Sequence, residues 1–145
     1  MGRMLFVVNP RAGKARIRIH FLDIVDMFVK EGWEVEVHTT QKPMDAMETV
    51  RQKGGDVDMV ICSGGDGTLS ETISGMVQLD NPPVLGYIPA GSTNDFASSL
   101  HIPSNMLKAA QNAVGGKPYA VDIGGFCRER NFVYVAAFGM FTEVS

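Results

Sequence analysis

Met4-Leu5-Phe6-Val7-Val8 is an unbroken apolar run that stops sharply at Asn9-Pro10 and Gly13. A strand with no polar side chain on either face has to be covered on both, which is the habit of parallel sheets flanked by helices. The pattern that follows agrees. Ile17, Phe21, Ile24, Val25 and Phe28 recur at helical spacing within 14–31, and Gly32 is placed to end that helix. Residues 33–37 alternate apolar and charged, predicting a strand with one polar face near a sheet edge. Pro43 opens a short helix through Gln52, closed by Gly54-Gly55. Further strands are predicted over 57–62 and 84–88, helices over 68–77 and 104–114, and two closing strands over 119–123 and 132–138. Arg128-Glu129-Arg130-Asn131 forms the polar turn between the last two. This alternation predicts an α/β fold: a three-layer, doubly wound sheet in one domain.

Composition narrows the function classes. The 145 residues are 45% hydrophobic and 20% charged, which excludes a disordered chain and a coiled-coil rod. Thirteen Lys and Arg against sixteen Asp and Glu leave a net charge of −3, so a broad nucleic-acid surface is not expected. Cys62 and Cys127 make neither a disulfide framework nor a CxxC pair, and Cys62 reads as a small core residue. His20, His38 and His101 are isolated, without metal-ligand spacing. No apolar run approaches the ~18 residues of a membrane span. The first run is too short before Pro10 for a signal peptide, and Phe6 breaks the myristoylation pattern. A reducing cytosol is the expected compartment.

Three polar loops follow predicted strands, and ligands of open α/β sheets bind beyond the carboxyl ends of strands. In Ser63-Gly64-Gly65-Asp66-Gly67-Thr68, glycines let the backbone approach a ligand closely, and amides at the next helix start favour anions. Asp66 would repel a bare anion; a divalent metal bridging it to phosphate, or its action on a hydroxyl, removes the conflict. A purely structural role is also available, because Thr68 and Glu71 have capping-box spacing. The loop is neither a Walker A loop nor GxGxxG. Arg11, Lys14, Arg16 and Arg18 crowd the start of the first helix, where cations oppose the helix dipole unless an anion lies among them. Arg18 reads as a solvated side chain, and Asn9 is placed to point into the cleft. In Gly91-Ser92-Thr93-Asn94-Asp95, any one polar residue could cap a short helix over 96–100, yet more are present than a cap needs. Asp122 interrupts an apolar strand, and an inward carboxylate there would demand a partner or a metal.

Together, Asn9-Pro10-Arg11-Ala12-Gly13-Lys14, Gly64-Gly65-Asp66-Gly67-Thr68-Leu69-Ser70-Glu71 and Pro89-Ala90-Gly91-Ser92-Thr93-Asn94-Asp95-Phe96-Ala97 resemble the diacylglycerol kinase catalytic domain family. Thr40, six residues before Ala46, matches the family's threonine after its second strand. The resemblance implies a phosphofructokinase-like or NAD kinase-like nucleotide-binding domain, followed in the family by a β-sandwich domain. It implies ATP-dependent phosphorylation of a lipid hydroxyl with Mg²⁺, and transient contact with a membrane surface. By the same resemblance Asn9, Thr40, Gly65, Gly67 and Thr68 would contact nucleotide, with Lys14 or Arg16 assisting at the phosphates. Gly64, Gly91, Ser92, Thr93 and Asn94 would complete the cofactor-binding set. Asp66 would be the catalytic or magnesium-linked carboxylate, and Asp95 and Asp122 would join it in a metal–water network.

The 145 residues end about where the family's second domain begins, so residues 1–145 are expected to be the N-terminal, nucleotide-binding piece of a longer kinase, inactive alone. Two other readings use the same loops. An NAD kinase would phosphorylate NAD instead of a dispersed lipid. A nucleotide- or phospholipid-binding module would have no transfer to lose when Asp66 becomes Asn.

Overall fold

The computed structural model describes residues 2–91, 94, 97–98, 102–122 and 132–136, with Tyr119, Asp122, Phe132 and Val133 described by their backbone alone. In chain order these form β1 (Arg3–Val8), α1 (Ile17–Lys30), β2 (Glu34–Thr39), α2 (Asp45–Lys53) and β3 (Met59–Gly64). Then come α3 (Asp66–Met76), β4 (Val84–Pro89), α4 (Met106–Gly115), β5 (Pro118–Asp122) and β6 (Phe132–Ala136). The strands lie in one sheet in the order β2-β1-β3-β4-β6-β5. All pairings are parallel except β5 on β6.

The apolar run becomes an interior strand, with every residue of 4–8 buried. Its side chains divide by alternation. Met4, Phe6 and Val8 face α1 and α4, whereas Leu5 and Val7 face α2 and α3. Helices thus cover both faces, giving the three layers that the sequence predicts. Phe6 anchors one layer, stacked on Phe21 at 5.8 Å and edge-on to Phe28 at 5.5 Å. β2 is the edge strand that the sequence predicts, but its faces are less distinct than the alternation implies: Glu34 and Glu36 are exposed on one, and on the other only Val35 packs on the core while Val37 and Thr39 are exposed.

Element boundaries shift for backbone reasons. Gly13 and Ala15 both take positive φ, +54° and +58°, so α1 starts at Ile17 rather than at Lys14. At its other end Gly32, at φ +96°, donates to the Val29 carbonyl while Trp33 donates to Phe28. That pair of bonds is a Schellman closure, and it makes Gly32 the predicted stop. Met44, at φ +68°, delays α2 until Asp45. The segment 96–100 lies partly outside the described residues, although Ala97 and Ser98 are helical. Ile123, Phe138, Cys127 and the turn 128–131 lie outside them as well.

Candidate functional site

From β1 the chain runs outward to β2 and then returns past β1 to β3, so its direction across the sheet reverses between β1 and β3. Ligands of open α/β sheets sit beyond the carboxyl ends of the strands at this reversal. The segments after β1, β2 and β3 enclose a cavity of about 520 Å³ there, well inside the roughly 300–1,000 Å³ of small-molecule sites.

Asn9 ties the floor together. Its amide N–H donates to the Ser63 carbonyl at 2.9 Å, its Oδ1 accepts from Arg11 N–H at 3.0 Å, and its Nδ2 donates to Thr68 Oγ1 at 3.3 Å. One side chain therefore links the end of β1, the turn after it and the first turn of α3.

The opposite wall is residues 40–43. Arg11 Nη2 donates to the Thr40 carbonyl at 2.8 Å, and Thr40 N–H donates back to Val8. From behind, Asp45 Oδ2 accepts Gln41 N–H at 2.7 Å and lies 3.0 Å from His38 Nε2, while Thr49 Oγ1 donates to Oδ1 at 3.4 Å. The His38 ring holds the Asp45 carboxyl below the usual carboxylate range despite the opposing effect of burial, with the Gln41 amide adding to the pull. Lys42 brings a second cation to the cavity beside Arg11, and Glu71 on α3 faces it with a negative charge.

The glycine loop supplies the third side. Gly65 is the cap residue of α3, and no side chain caps that helix end. The leading amides of an α-helix have no intrahelical acceptor, so they are offered to a ligand with the positive end of the dipole behind them. Asp66 opens the helix and Gly67 and Thr68 line the cavity. The predicted capping box is corrected here: α3 begins two residues before Thr68, whose hydroxyl accepts from Asn9 instead.

The loop after β4 presses directly against this one. A Cβ on Gly91 would lie 2.5 Å from Gly65 Cα, and one on Gly13 would lie 2.5 Å from the Ala90 carbonyl oxygen. All three predicted loops meet at one sheet edge, at distances only glycine permits. Asn94 folds back on its own loop, accepting Gly91 N–H at 2.9 Å and donating to the Gly91 carbonyl at 2.8 Å.

Of the predicted residues, Asn9, Thr40, Gly67 and Thr68 line the cavity, while Gly64, Gly65 and Asp66 lie beside it in the same loop and Gly91 and Asn94 pack behind that loop. Lys14 and Arg16 are exposed in the turn before α1, and neither lines the cavity. Arg18 is spent on the Pro10 carbonyl, donating from Nε at 3.1 Å. Ser92, Thr93 and Asp95 lie outside the described residues, as does the Asp122 side chain. The backbone of Asp122 pairs with Phe132 at the start of β6, the end of the sheet away from the cleft. Cys62 is a buried core residue whose thiol is pushed up to about 12 by desolvation. Gln41, Lys42, Pro43 and Glu71 line the cavity without being candidate ligand contacts from the sequence, where Pro43 reads as a helix opener and Glu71 as a capping partner. Their signal was positional, since 41–43 follow a strand end and Glu71 stands one helical turn after Thr68.

The fold and cleft define an open, mostly parallel α/β domain with a helix start that no side chain caps, two cations and a carboxylate gathered beyond the carboxyl ends of its strands. The chain belongs to the diacylglycerol kinase catalytic domain family, whose model matches residues 3–126. It is 35% identical over its whole length to a diacylglycerol kinase of Bacillus subtilis strain 168, covering 48% of that protein. It is 38% identical over 99% of its length to a diacylglycerol kinase of Staphylococcus carnosus strain TM300, covering 47% of it. A crystal structure of a diacylglycerol kinase from Bacillus anthracis Sterne superposes with a TM-score of 0.72 at 31% identity, covering 82% of this chain and 41% of that one. The chain thus spans about half the length of the curated relatives it matches.

Proposed function

We propose that residues 1–145 form the nucleotide-binding unit of a kinase that transfers the γ-phosphoryl group of ATP to a lipid hydroxyl, diacylglycerol being the acceptor class. The observation that carries this reading is the start of α3, which no side chain caps: Asp66 is its first residue, and Gly67 and Thr68 just after it line a cavity that Arg11 and Thr40 close. Phosphoryl transfer asks a protein mainly to position the reactants and neutralise charge. The amides at 65, 67 and 68 and the Arg11 guanidinium would hold phosphate oxygens, while Asn9 and Thr40 would contact the nucleotide. Lys14 and Arg16, on the exposed turn, would act only on phosphate or headgroup charge arriving from solvent. Gly64, Gly91 and Asn94 shape the floor, and the family resemblance adds Ser92, Thr93 and Asp95.

Asp66 is the carboxylate that would accept the proton of the attacking hydroxyl or link to Mg²⁺. Among the described residues no three His, Cys, Asp or Glu side chains gather into a metal site. Mg²⁺ is commonly held by one or two carboxylates plus substrate phosphates, so Asp66 beside phosphate-binding amides fits an ion that arrives with the nucleotide. When bound, that ion supplies charge neutralisation on the transferring group. A segment of the kind that lies outside the matched half of the longer relatives would supply the lipid pocket. Among the described residues no helix is long and apolar enough to cross a membrane, so the enzyme would meet its acceptor by transient contact with a bilayer surface.

The test is transfer from Mg·ATP by the full-length protein, with dispersed diacylglycerol and NAD offered as rival acceptors. Phosphorylated lipid supports the reading, phosphorylated NAD replaces it with an NAD kinase, and nucleotide binding without transfer replaces it with a binding module.

A further inference from the structure

Directly beneath the glycine loop lies a buried phenol that the proposed chemistry leaves unused. Tyr87 is on β4, 1% exposed, in register with Cys62 of β3. Its hydroxyl donates to the Gly64 carbonyl at 2.9 Å. The same oxygen accepts Ala90 N–H at 2.9 Å, which carries the β3–β4 ladder one step past the strand ends. A carbonyl has two lone pairs, and both are engaged here. One partner lies along the sheet; the other arrives from the face covered by α2 and α3, where Tyr87 packs in the core.

A single ladder bond leaves a terminal peptide able to rock about the strand axis, and the second donor stops it. In a trans peptide the N–H points opposite to the C=O. Fastening the Gly64 carbonyl toward β4 therefore aims the Gly65 N–H the other way, into the space above Asn9 and β1. Among the described residues no acceptor takes that N–H. Gly64 and Gly65 have no side chains of their own to hold the turn, and Asp66 follows immediately. Burial pushes the Tyr87 phenol far above its ordinary pKa, with Cys62 and Asp66 adding to the effect, so the hydroxyl remains a donor throughout any working pH.

We propose that Tyr87 is a positioning residue for phosphate binding: through the Gly64 carbonyl its hydroxyl sets the direction of the Gly65 amide and of Asp66. The proposal rests on the reading that the start of α3 receives nucleotide phosphates, and it deepens that reading by naming what holds the receiver still. The predicted effect is selective. Only ligands with phosphate feel the loss of the hydroxyl.

The experiment compares ADP and adenosine binding, by calorimetry, to the native full-length protein and to Tyr87→Phe. The expected result is roughly tenfold weaker ADP binding with adenosine affinity unchanged, as for loss of one oriented donor. Leu85→Val on the same strand is the structural control, lowering Tm while leaving the ADP-to-adenosine ratio intact. Equal losses for both ligands, or no loss for either, overturn the proposal and leave the nucleotide reading standing. Native protein that binds neither ADP nor Mg·ATP overturns both. A second measurement needs no variant: the Gly65 amide resonance of native protein moves on ADP addition and not on adenosine addition, and an unmoved resonance refutes the assignment.

Discussion

Arg11 and Thr40 join two loops across the mouth of the cavity, guanidinium Nη2 to backbone carbonyl at 2.8 Å, although 29 residues separate them in sequence. The carbonyl can take that bond only while residues 40–43 stay folded against Asp45. A cation is thereby held over the cleft by backbone geometry instead of by a carboxylate, so its charge is not neutralised in place. On the reading proposed above, Arg11→Ala in the full-length protein should raise KM for Mg·ATP about tenfold, as expected for a charged hydrogen-bonding group, with a smaller change in kcat. Arg11→Lys should recover only part, since an ammonium keeps the charge and loses the planar fork. Arg11 is exposed, so the unfolding free energy from urea titrations should change by less than about 0.5 kcal/mol.

Asp66→Asn should separate chemistry from folding. The amide is nearly isosteric and Asp66 is only partly buried, so Tm should stay close to native. Turnover should fall by roughly 10²–10⁴, the usual worth of a positioned base. Retained turnover would remove Asp66 from the catalytic role.

The glycines make a paired prediction. At Gly91 a methyl group would meet the backbone Cα of Gly65 at 2.5 Å, whereas at Gly67 nothing lies within 4 Å. Gly91→Ala should destabilise by about 1–3 kcal/mol in urea titrations, the range of overpacked sites. Gly67→Ala should leave stability unchanged or raise it by up to about 1 kcal/mol, because alanine is the better helix residue. Its methyl group would nevertheless project beside the cavity, so nucleotide affinity should drop. A Gly67→Ala protein of native affinity would place the ligand elsewhere.

Asp45 gives a pH dependence with a fixed sign. Its folded pKa is depressed by His38 and the Gln41 amide, while an unfolded Asp titrates near ~3.9. Its stabilising contribution is therefore complete above that value and disappears as pH falls through the lower, folded pKa. In thermal melts, the Tm gap between native protein and Asp45→Asn should be widest near neutrality. It should close progressively below about pH 4. A gap independent of pH would mean that the ionised carboxylate is not what supports the wall.

Much of this is legible in the sequence. Apolar runs and helical spacing report burial directly, so the layers and the meeting of three loops at one sheet edge follow from residues such as Met4–Val8 and Gly64–Gly67. What escaped depends on backbone torsions and on register. Nothing in the letters Ala15 or Met44 announces a positive φ, yet those torsions move α1 and α2 and strand Lys14 and Arg16 outside the cavity. Thr68 looked like a cap because its spacing to Glu71 is right; the helix starts at Asp66 because glycine backbone, not a side chain, makes the turn. Asp122 looked poised to join Asp66, but its pairing with Phe132 runs it to the far end of the sheet. Tyr87 was hidden because its function lies in one hydroxyl on an otherwise ordinary apolar strand.

The strand order carries one more implication, for synthesis. Among the described residues β5 makes no ladder with β4 and is joined to the sheet through β6, which comes later in the chain and slots between them. A chain growing from its N-terminus can assemble β1 to β4 as each strand emerges, but β5 must wait without a partner until 132–136 leave the ribosome. At about 5–20 residues per second that wait is on the order of a second. During it the flank of β4 is open, so a nascent chain halted between the two strands would present a bare parallel edge to whatever strand first finds it.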